Sequence, residues 1–103
     1  MKTKDKYYVG TDLKFLLKIE SPGFSQADDD YEVTLVCGDK RVVIPKSKIV
    51  EGSDGYYMLV DTDELDSGLV RMIVTAKVID NDFEKGYRRE VEARDLCIIK
   101  KVF

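Results

Sequence analysis

The sequence predicts an all-β chain, folded as an antiparallel two-sheet β-sandwich of about six or seven strands. Three observations carry that prediction. Apolar residues recur at every second position over most of the chain, the period of a strand with one buried face. Clusters of Gly, Pro, Asp and Ser interrupt the alternation at short intervals. No stretch sustains the i, i+3, i+4 spacing of an amphipathic helix. A small barrel is the alternative arrangement of the same strands.

The elements follow in order. In "TDLKFLLKIE", Leu13, Phe15, Leu17 and Ile19 share one face, and Lys14, Leu16 and Lys18 share the other. Pro22 and Gly23 in "SPGFS" stop that strand, and "QADDD" is a polar connection. "YEVTLVCG" places Tyr31, Val33, Leu35 and Cys37 on one face. "GDK" turns the chain into "RVVIP", a short strand that Pro45 must end or confine to an edge, because it has no N–H for the ladder. "EGSDG" is a second turn cluster, and "YYMLVD" after it sets Tyr56, Met58 and Val60 against Tyr57 and Leu59. "DTDELDSG" carries a weak helical signal: Thr62 as cap of a single turn, Leu65 as its buried anchor and Gly68 as its stop. "LVRMIVTAKVID" is the strongest strand, with Val70, Met72, Val74, Ala76 and Val78 as an unbroken apolar row lining the core. In "YRREVEARDLCIIKKVF", Tyr87, Arg89, Val91 and Ala93 alternate with Arg88, Glu90, Glu92 and Arg94, and the phase then falters. A β-bulge near Arg94 and Asp95 would repair it, since one extra residue flips the alternation.

The chain has 103 residues, enough for a single domain over 1–103. Its 44% apolar content supports a core despite 36% charged residues. A net charge of −3, with Lys and Arg scattered, disfavours a nucleic-acid partner. The longest apolar runs, such as "LCII", are too short for a membrane-spanning helix. "MKTKDKYYVG" has a basic start without an apolar segment behind it, which predicts a chain kept in the cytoplasm, at least before assembly into a particle.

Catalytic chemistry finds little support. The chain has no His, and with it go the commonest general base and the commonest zinc ligand. It holds no phosphate-binding glycine motif and no C-x-x-C pair. No catalytic, cofactor-binding or metal-ligating residues are assigned. The acidic runs "DDD" at 28–30, "DTDELD" at 61–66 and "DND" at 80–82 offer oxygen ligands of the kind calcium takes. In "DNDFEKG" the Gly falls one place late for an EF-hand loop, and Val91 stands where its bidentate Glu belongs. Asp is also a turn former at strand ends, so calcium is not expected. Cys37 and Cys97 read as buried thiols, with an antibody-like inter-sheet bridge as the alternative. Tyr7–Tyr8 and Tyr56–Tyr57 must point to opposite faces if they lie in strands. "DNDFEKGYRREV" reads as the hairpin between the two longest strands. In it Phe83 is expected under the loop, Gly86 at a positive φ, and Arg88 or Arg89 paired with Asp80 or Asp82.

The run "SGLVRMIVTAKVIDNDFEKGYRREVEA" resembles small domains encoded by phages and prophages of gut Bacteroidetes in tail and baseplate gene neighbourhoods. Their recurring form, D-x-DF-x-x-G-x-R-x-EV after a strand, is carried here by Asp80, Asp82, Phe83, Gly86, Arg88, Glu90 and Val91. "YYVGTDLKF" and "GYYMLVDTDELDSG" are similar to the same family. The resemblance implies an immunoglobulin-like β-sandwich, a non-enzymatic structural role, and protein partners in a larger tail-like assembly or virion. Two other readings stand beside it: a surface or carbohydrate-binding module, and a calcium-stabilised adhesion-type domain.

Overall fold

The computed structural model describes residues 6–102. Eight strands are formed: β1 (Lys6–Tyr8), β2 (Asp12–Leu17), β3 (Tyr31–Cys37), β4 (Lys40–Pro45), β5 (Val50–Gly52), β6 (Gly55–Asp61), β7 (Gly68–Ile79) and β8 (Tyr87–Lys100). They make a five-stranded sheet in the order β1-β8-β7-β3-β4 and a three-stranded sheet in the order β2-β6-β5. Two single 3-10 turns, Lys46–Lys48 and Thr62–Glu64, lie in the connections.

The expected all-β, two-sheet architecture is present, with two corrections. There are eight strands rather than six or seven, because β1 and β5 are only three residues long. The arrangement is mixed rather than wholly antiparallel, because β1 pairs parallel with β8.

The core lies between the sheets. The large sheet contributes Val33, Leu35, Val70, Met72, Val74 and Ile99; the small one contributes Leu13, Leu17, Met58 and Val60. All five residues of the expected β7 row are buried, Val78 included. Pairing fixes the faces. Tyr31, Val33 and Leu35 stand opposite Ala76, Val74 and Met72, and directly opposed residues share a face. Cross-sheet packing is continued by aromatic edges: Tyr7 meets Phe15 at 6.2 Å between ring centroids, and Phe24 meets Tyr31 at 6.1 Å.

β8 departs from the sequence reading. Arg88, Glu90, Glu92 and Arg94 pair with Val78, Ala76, Val74 and Met72, so the charged residues share the inner face. Tyr87, Arg89, Val91 and Ala93, the expected apolar row, lie on the outer face. The expected bulge is present. Val70 pairs with Cys97 and Arg71 with Asp95, which leaves Leu96 as the extra residue. Past it the phase flips, and Cys97 and Ile99 enter the core.

The inward charges of β8 are met by the connection between β2 and β3. Ser21 Oγ donates to Glu90 Oε2 at 2.6 Å, and an Arg88 guanidinium nitrogen reaches the carbonyl oxygen of Pro22 at 3.4 Å. The same connection is held to β2 by Gln26. Its amide nitrogen donates to Leu17 O, and its amide oxygen accepts from Ile19 N–H.

At the opposite end the chain crosses between sheets twice, through residues 9–11 and 62–67. Thr62 ties the two crossings together. Its buried hydroxyl donates to Thr11 O at 2.8 Å and accepts from Gly10 N–H at 2.9 Å. Thr62 is therefore not the cap of its own turn. Asp61 is, accepting from Asp63 N–H, while Leu65 is the buried anchor as expected.

Two predictions follow from this packing. Val74→Asp places an uncompensated carboxylate in the core and should cost about 3 kcal/mol or more, enough to unfold a marginal domain. Thr75→Asp on the outer face should cost about 1 kcal/mol, through repulsion of Glu32 directly opposite. Urea midpoints followed by circular dichroism separate the two, and equal damage would mean that the faces are misassigned. Second, the buried Tyr31 hydroxyl has only the Gln26 amide beside it, which is already committed to Leu17 O and Ile19 N–H, and makes no well-formed hydrogen bond among the described residues. Tyr31→Phe removes that unsatisfied group while keeping the ring, and should raise stability by about 1 kcal/mol. A lower urea midpoint in this variant would show that the hydroxyl contributes to the fold.

Candidate interaction surfaces

The acidic clusters of the sequence are taken up by turns. Asp29 accepts from Ser25 N–H, Asp28 accepts from Ser25 Oγ, and Asp30 pairs with Lys77 at 3.4 Å. Asp61 caps the Thr62 turn, and Asp66 uses its backbone oxygen to accept from the Cys37 thiol. Among the described residues no group of three acidic or cysteine side chains is arranged to hold a metal ion.

The β7–β8 hairpin is built the same way. Two successive turns close its loop, Phe83 N–H to Asp80 O and Gly86 N–H to Phe83 O, and Asp80 N–H reaches Gly86 O across the neck. Gly86 sits at φ +85°, the left-handed region that only glycine enters without strain, although open space surrounds it. Asp80 accepts from Asp82 N–H at 3.0 Å with one oxygen and from Arg88 at 2.8 Å with the other. Those bonds, the backbone one first, hold its carboxyl below the usual carboxylate pKa. The expected Arg88–Asp80 pair is thus present. The expected burial of Phe83 is not. Phe83 is 46% exposed, in a loop closed by two short turns.

Cys37 and Cys97 are both buried thiols. They lie in one sheet rather than in facing sheets. β7 stands between β3 and β8, so their Cα atoms are two strand spacings apart, roughly 9.5 Å. That exceeds the limit of about 7 Å for a disulfide. Burial pushes the Cys37 thiol pKa up and the nearby Asp66 carboxylate adds to the effect, which keeps it a poor nucleophile near neutrality.

The tyrosine pairs split between faces as expected. Tyr7 turns in and Tyr8 out. Tyr57 lies on the outer face of the small sheet, where its neighbours engage it. Lys14 Nζ stands 4.5 Å from its ring centroid. A Cβ built on Gly52 would come within 2.9 Å of the same ring. Its hydroxyl is bound to Asp54 at 2.6 Å, and that bond raises its pKa.

The outer face of the large sheet is different. The register lines up Ala93, Ile73, Thr34 and Val43 as an uncharged row across β8, β7, β3 and β4. The row crosses three strand spacings, about 14 Å. Val91 on its flank is 65% exposed and Val43 at its end 49% exposed. Charges border it on both sides. Arg71 pairs with Asp95 at 3.4 Å on one flank, and Lys77 pairs with Asp30 on the other. Arg41, Arg89 and Glu32 face the same side without an ion pair among the described residues. The sequence reading missed this surface, because its members come from four strands and meet only through the register.

No protein-family model matches the chain. No curated protein matches it. Among solved structures, a candidate glycoside hydrolase from Bacteroides vulgatus ATCC 8482 is similar at 14% identity and a TM-score of 0.48, over 97% of this chain. This chain spans 17% of the length of that protein. Among the described residues no helix is long and apolar enough to cross a membrane.

The hairpin geometry yields a pH prediction. The pKa of Asp80 is lower folded than its ordinary 3.8, so its contribution to stability is complete above that value and is lost as pH falls through the depressed one. Asp80→Asn should lower the thermal midpoint modestly at pH 7. The gap from the parent should close in acid, below the ordinary carboxylate value. A gap of constant size down to pH 2 would show that the carboxylate charge is irrelevant to the hairpin.

Proposed function

We propose that this chain is a non-enzymatic interaction module, an immunoglobulin-like β-sandwich that docks into a phage-derived tail or baseplate assembly. One observation carries the interaction role: the exposed uncharged row Ala93–Ile73–Thr34–Val43 with its border of charges. A flat apolar centre with a polar rim is the anatomy of a protein interface. The strand order supports the immunoglobulin-like reading. β8-β7-β3-β4 against β2-β6-β5 follows the G-F-C-C′ against E-D pattern of such domains, with β2 in the place of B. The tail assignment draws on the run Asp80, Asp82, Phe83, Gly86, Arg88, Glu90 and Val91, which resembles the phage family.

Three features favour this reading over its rivals. The shifted side chains each answer to a local bond or to burial and are not gathered in one place: Tyr31 and Cys37 lie at opposite ends of β3, Tyr57 on β6 and Asp80 in the β7–β8 loop. The acidic runs are engaged in turns, which weakens the calcium-dependent alternative. Lys14 stands over the Tyr57 ring and Asp54 holds its hydroxyl, which weakens the sugar-binding one.

The test is co-expression with the proteins encoded beside this chain, tail and baseplate proteins on this reading, followed by size-exclusion chromatography. The parent should co-migrate with one of them. Val91→Glu combined with Val43→Glu should abolish co-migration while shifting the thermal midpoint little, because both side chains are exposed. Leu16→Glu, on the outer face of the small sheet, should leave it intact. Co-migration that survives the double change, or that is absent from the parent with every neighbouring protein, would sink the proposal.

A further inference from the structure

A second surface, distinct from the outer face of the large sheet, has the form of an empty strand position. β6 is seven residues long and its partner β5 only three. Their pairing ends at Val50 opposite Tyr57. From Met58 to Asp61, β6 is paired with β2 alone. The closing pair of the two-residue β5–β6 hairpin is Gly52 opposite Gly55. Counting in twos from Gly55, the N–H and C=O groups of Leu59 and Asp61 point to the unpaired side. The chain cannot supply the missing strand itself. Upstream of β5 it coils into the 3-10 turn Lys46–Lys48, and Ile49 N–H is bound back to Lys46 O.

A cavity of about 690 Å³ runs along this open edge. Leu35, Val42 and Ile44 of the large sheet and Leu13 and Val60 of the small one form its walls. An added strand would thus find backbone partners on β6 and an apolar trough for alternate side chains, the two components of β-strand addition. The open edge of four residues has room for a segment of about 13 Å.

The rim charges state what the occupant must carry. Asp12 and Asp61 stand directly opposite each other, and Glu64 borders the same end of the cavity. Opposed like charges are unfavourable. None of the three takes part in an ion pair among the described residues. Level with Leu59, about two residues back along the edge, the cavity is bordered by Lys14 and Lys48. Neither lysine has a carboxylate partner among the described residues, although Lys14 lies over the Tyr57 ring. We propose that this groove binds an extended segment of another polypeptide, added antiparallel to β6. It carries a basic residue near its N-terminal end over Asp12, Asp61 and Glu64, an acidic residue two positions on beside Lys14 and Lys48, and apolar residues at the alternate positions that enter the trough. β1 and β8 lie four and three strand positions from β4 in the large sheet, so neither strand forms a wall of the groove.

The probe is the capped peptide Ala-Lys-Val-Glu-Val-Gly, whose Lys and Glu stand opposite Asp61 and Leu59 when its two Val side chains enter the trough, titrated into the ¹⁵N-labelled protein. Saturable shifts should appear at the amides of Leu59 and Asp61 and along Val42–Ile44. The charge-reversed peptide Ala-Glu-Val-Lys-Val-Gly should bind about fivefold more weakly or worse, since its charges meet like charges. Val42→Phe, which fills the trough from a half-buried position, should abolish the shifts while the rest of the spectrum stays dispersed. Should that variant misfold, Asp12→Lys provides the second arm and should weaken the first peptide and strengthen the reversed one. Three results would overturn the proposal. One is the absence of saturable shifts at these residues up to millimolar peptide. Another is equal affinity for the two peptides. The third is concentration-dependent shifts at the same residues without peptide, which would assign the groove to a second copy of the chain.

Discussion

The fold hangs on β7. It is hydrogen-bonded on both edges, to β3 through Arg71–Ala76 and to β8 along its whole length. Directly opposed residues must share a face, so the phase of β7 dictates the phase of both neighbours. With Val70, Met72, Val74, Ala76 and Val78 turned inward, β3 has no choice but to bury Tyr31, Val33 and Leu35, which its sequence also favours. β8 has no choice either, and there the sequence disagrees. Its first half is forced to turn Glu90 and Glu92 toward the inside and to leave Val91 in solvent. The bulge at Leu96 relieves the conflict. One extra residue lets Cys97 and Ile99 reach the core that Glu92 and Arg94 could not fill.

Unequal sheets explain the remaining architecture. Three strands cannot cover the inner face of five, and the excess appears on both sides. Over β8 it is covered by the connection between β2 and β3, which meets Glu90 with Ser21 and Arg88 with the Pro22 carbonyl. On the β4 side no connection plays that part, because β5 is too short and the chain before it is coiled. The one overhang is satisfied by polar contacts within the chain. The other remains an apolar trough beside open backbone. Thr62 keeps the two sheets in this offset, since its single hydroxyl joins both chain crossings at one end of the molecule.

How much of this was legible depended on whether a residue's fate was decided locally. β2, β3, β6 and β7 each carry an apolar row long enough to show a period of two, and each buries that row. β1 and β5 have three residues apiece, and a period of two has no meaning over three positions. The phase of β8 was read wrongly because Tyr87, Val91 and Ala93 imitate a core-facing row, whereas the pairing with β7 is set by non-local contacts. The bulge remained legible, since it shows as a break in alternation and not as a choice of face. Phe83 was misread for a related reason: an aromatic ring in a loop is buried only if something passes over it, and no local signal reports that. The interaction surfaces were beyond reach before folding. Val43, Thr34, Ile73 and Ala93 are each unremarkable in their own strands and form a row only through the register.

The charges divide in a way that the composition does not reveal. Several of the carboxylates behind the acidic balance have their lone pairs engaged nearby: Asp28 and Asp29 around Ser25, and Asp80 on Asp82 and Arg88. Such residues are the cost of building tight connections from Asp-rich turns, and they are poorly placed to recognise anything else. A second group has no countercharge among the described residues: Glu32, Arg41 and Arg89 beside the outer row, Asp12, Glu64 and Lys48 beside the trough. Exposed ions need no partner to be stable in water, so isolation alone means little. Their position is the informative part. They border the two places where the fold leaves apolar side chains uncovered, and a charge at the edge of an apolar contact sets which partner is accepted more than how tightly it is held. The net acidity of the chain therefore comes largely from its turns, and the charges that bear on recognition are the few that the turns do not use.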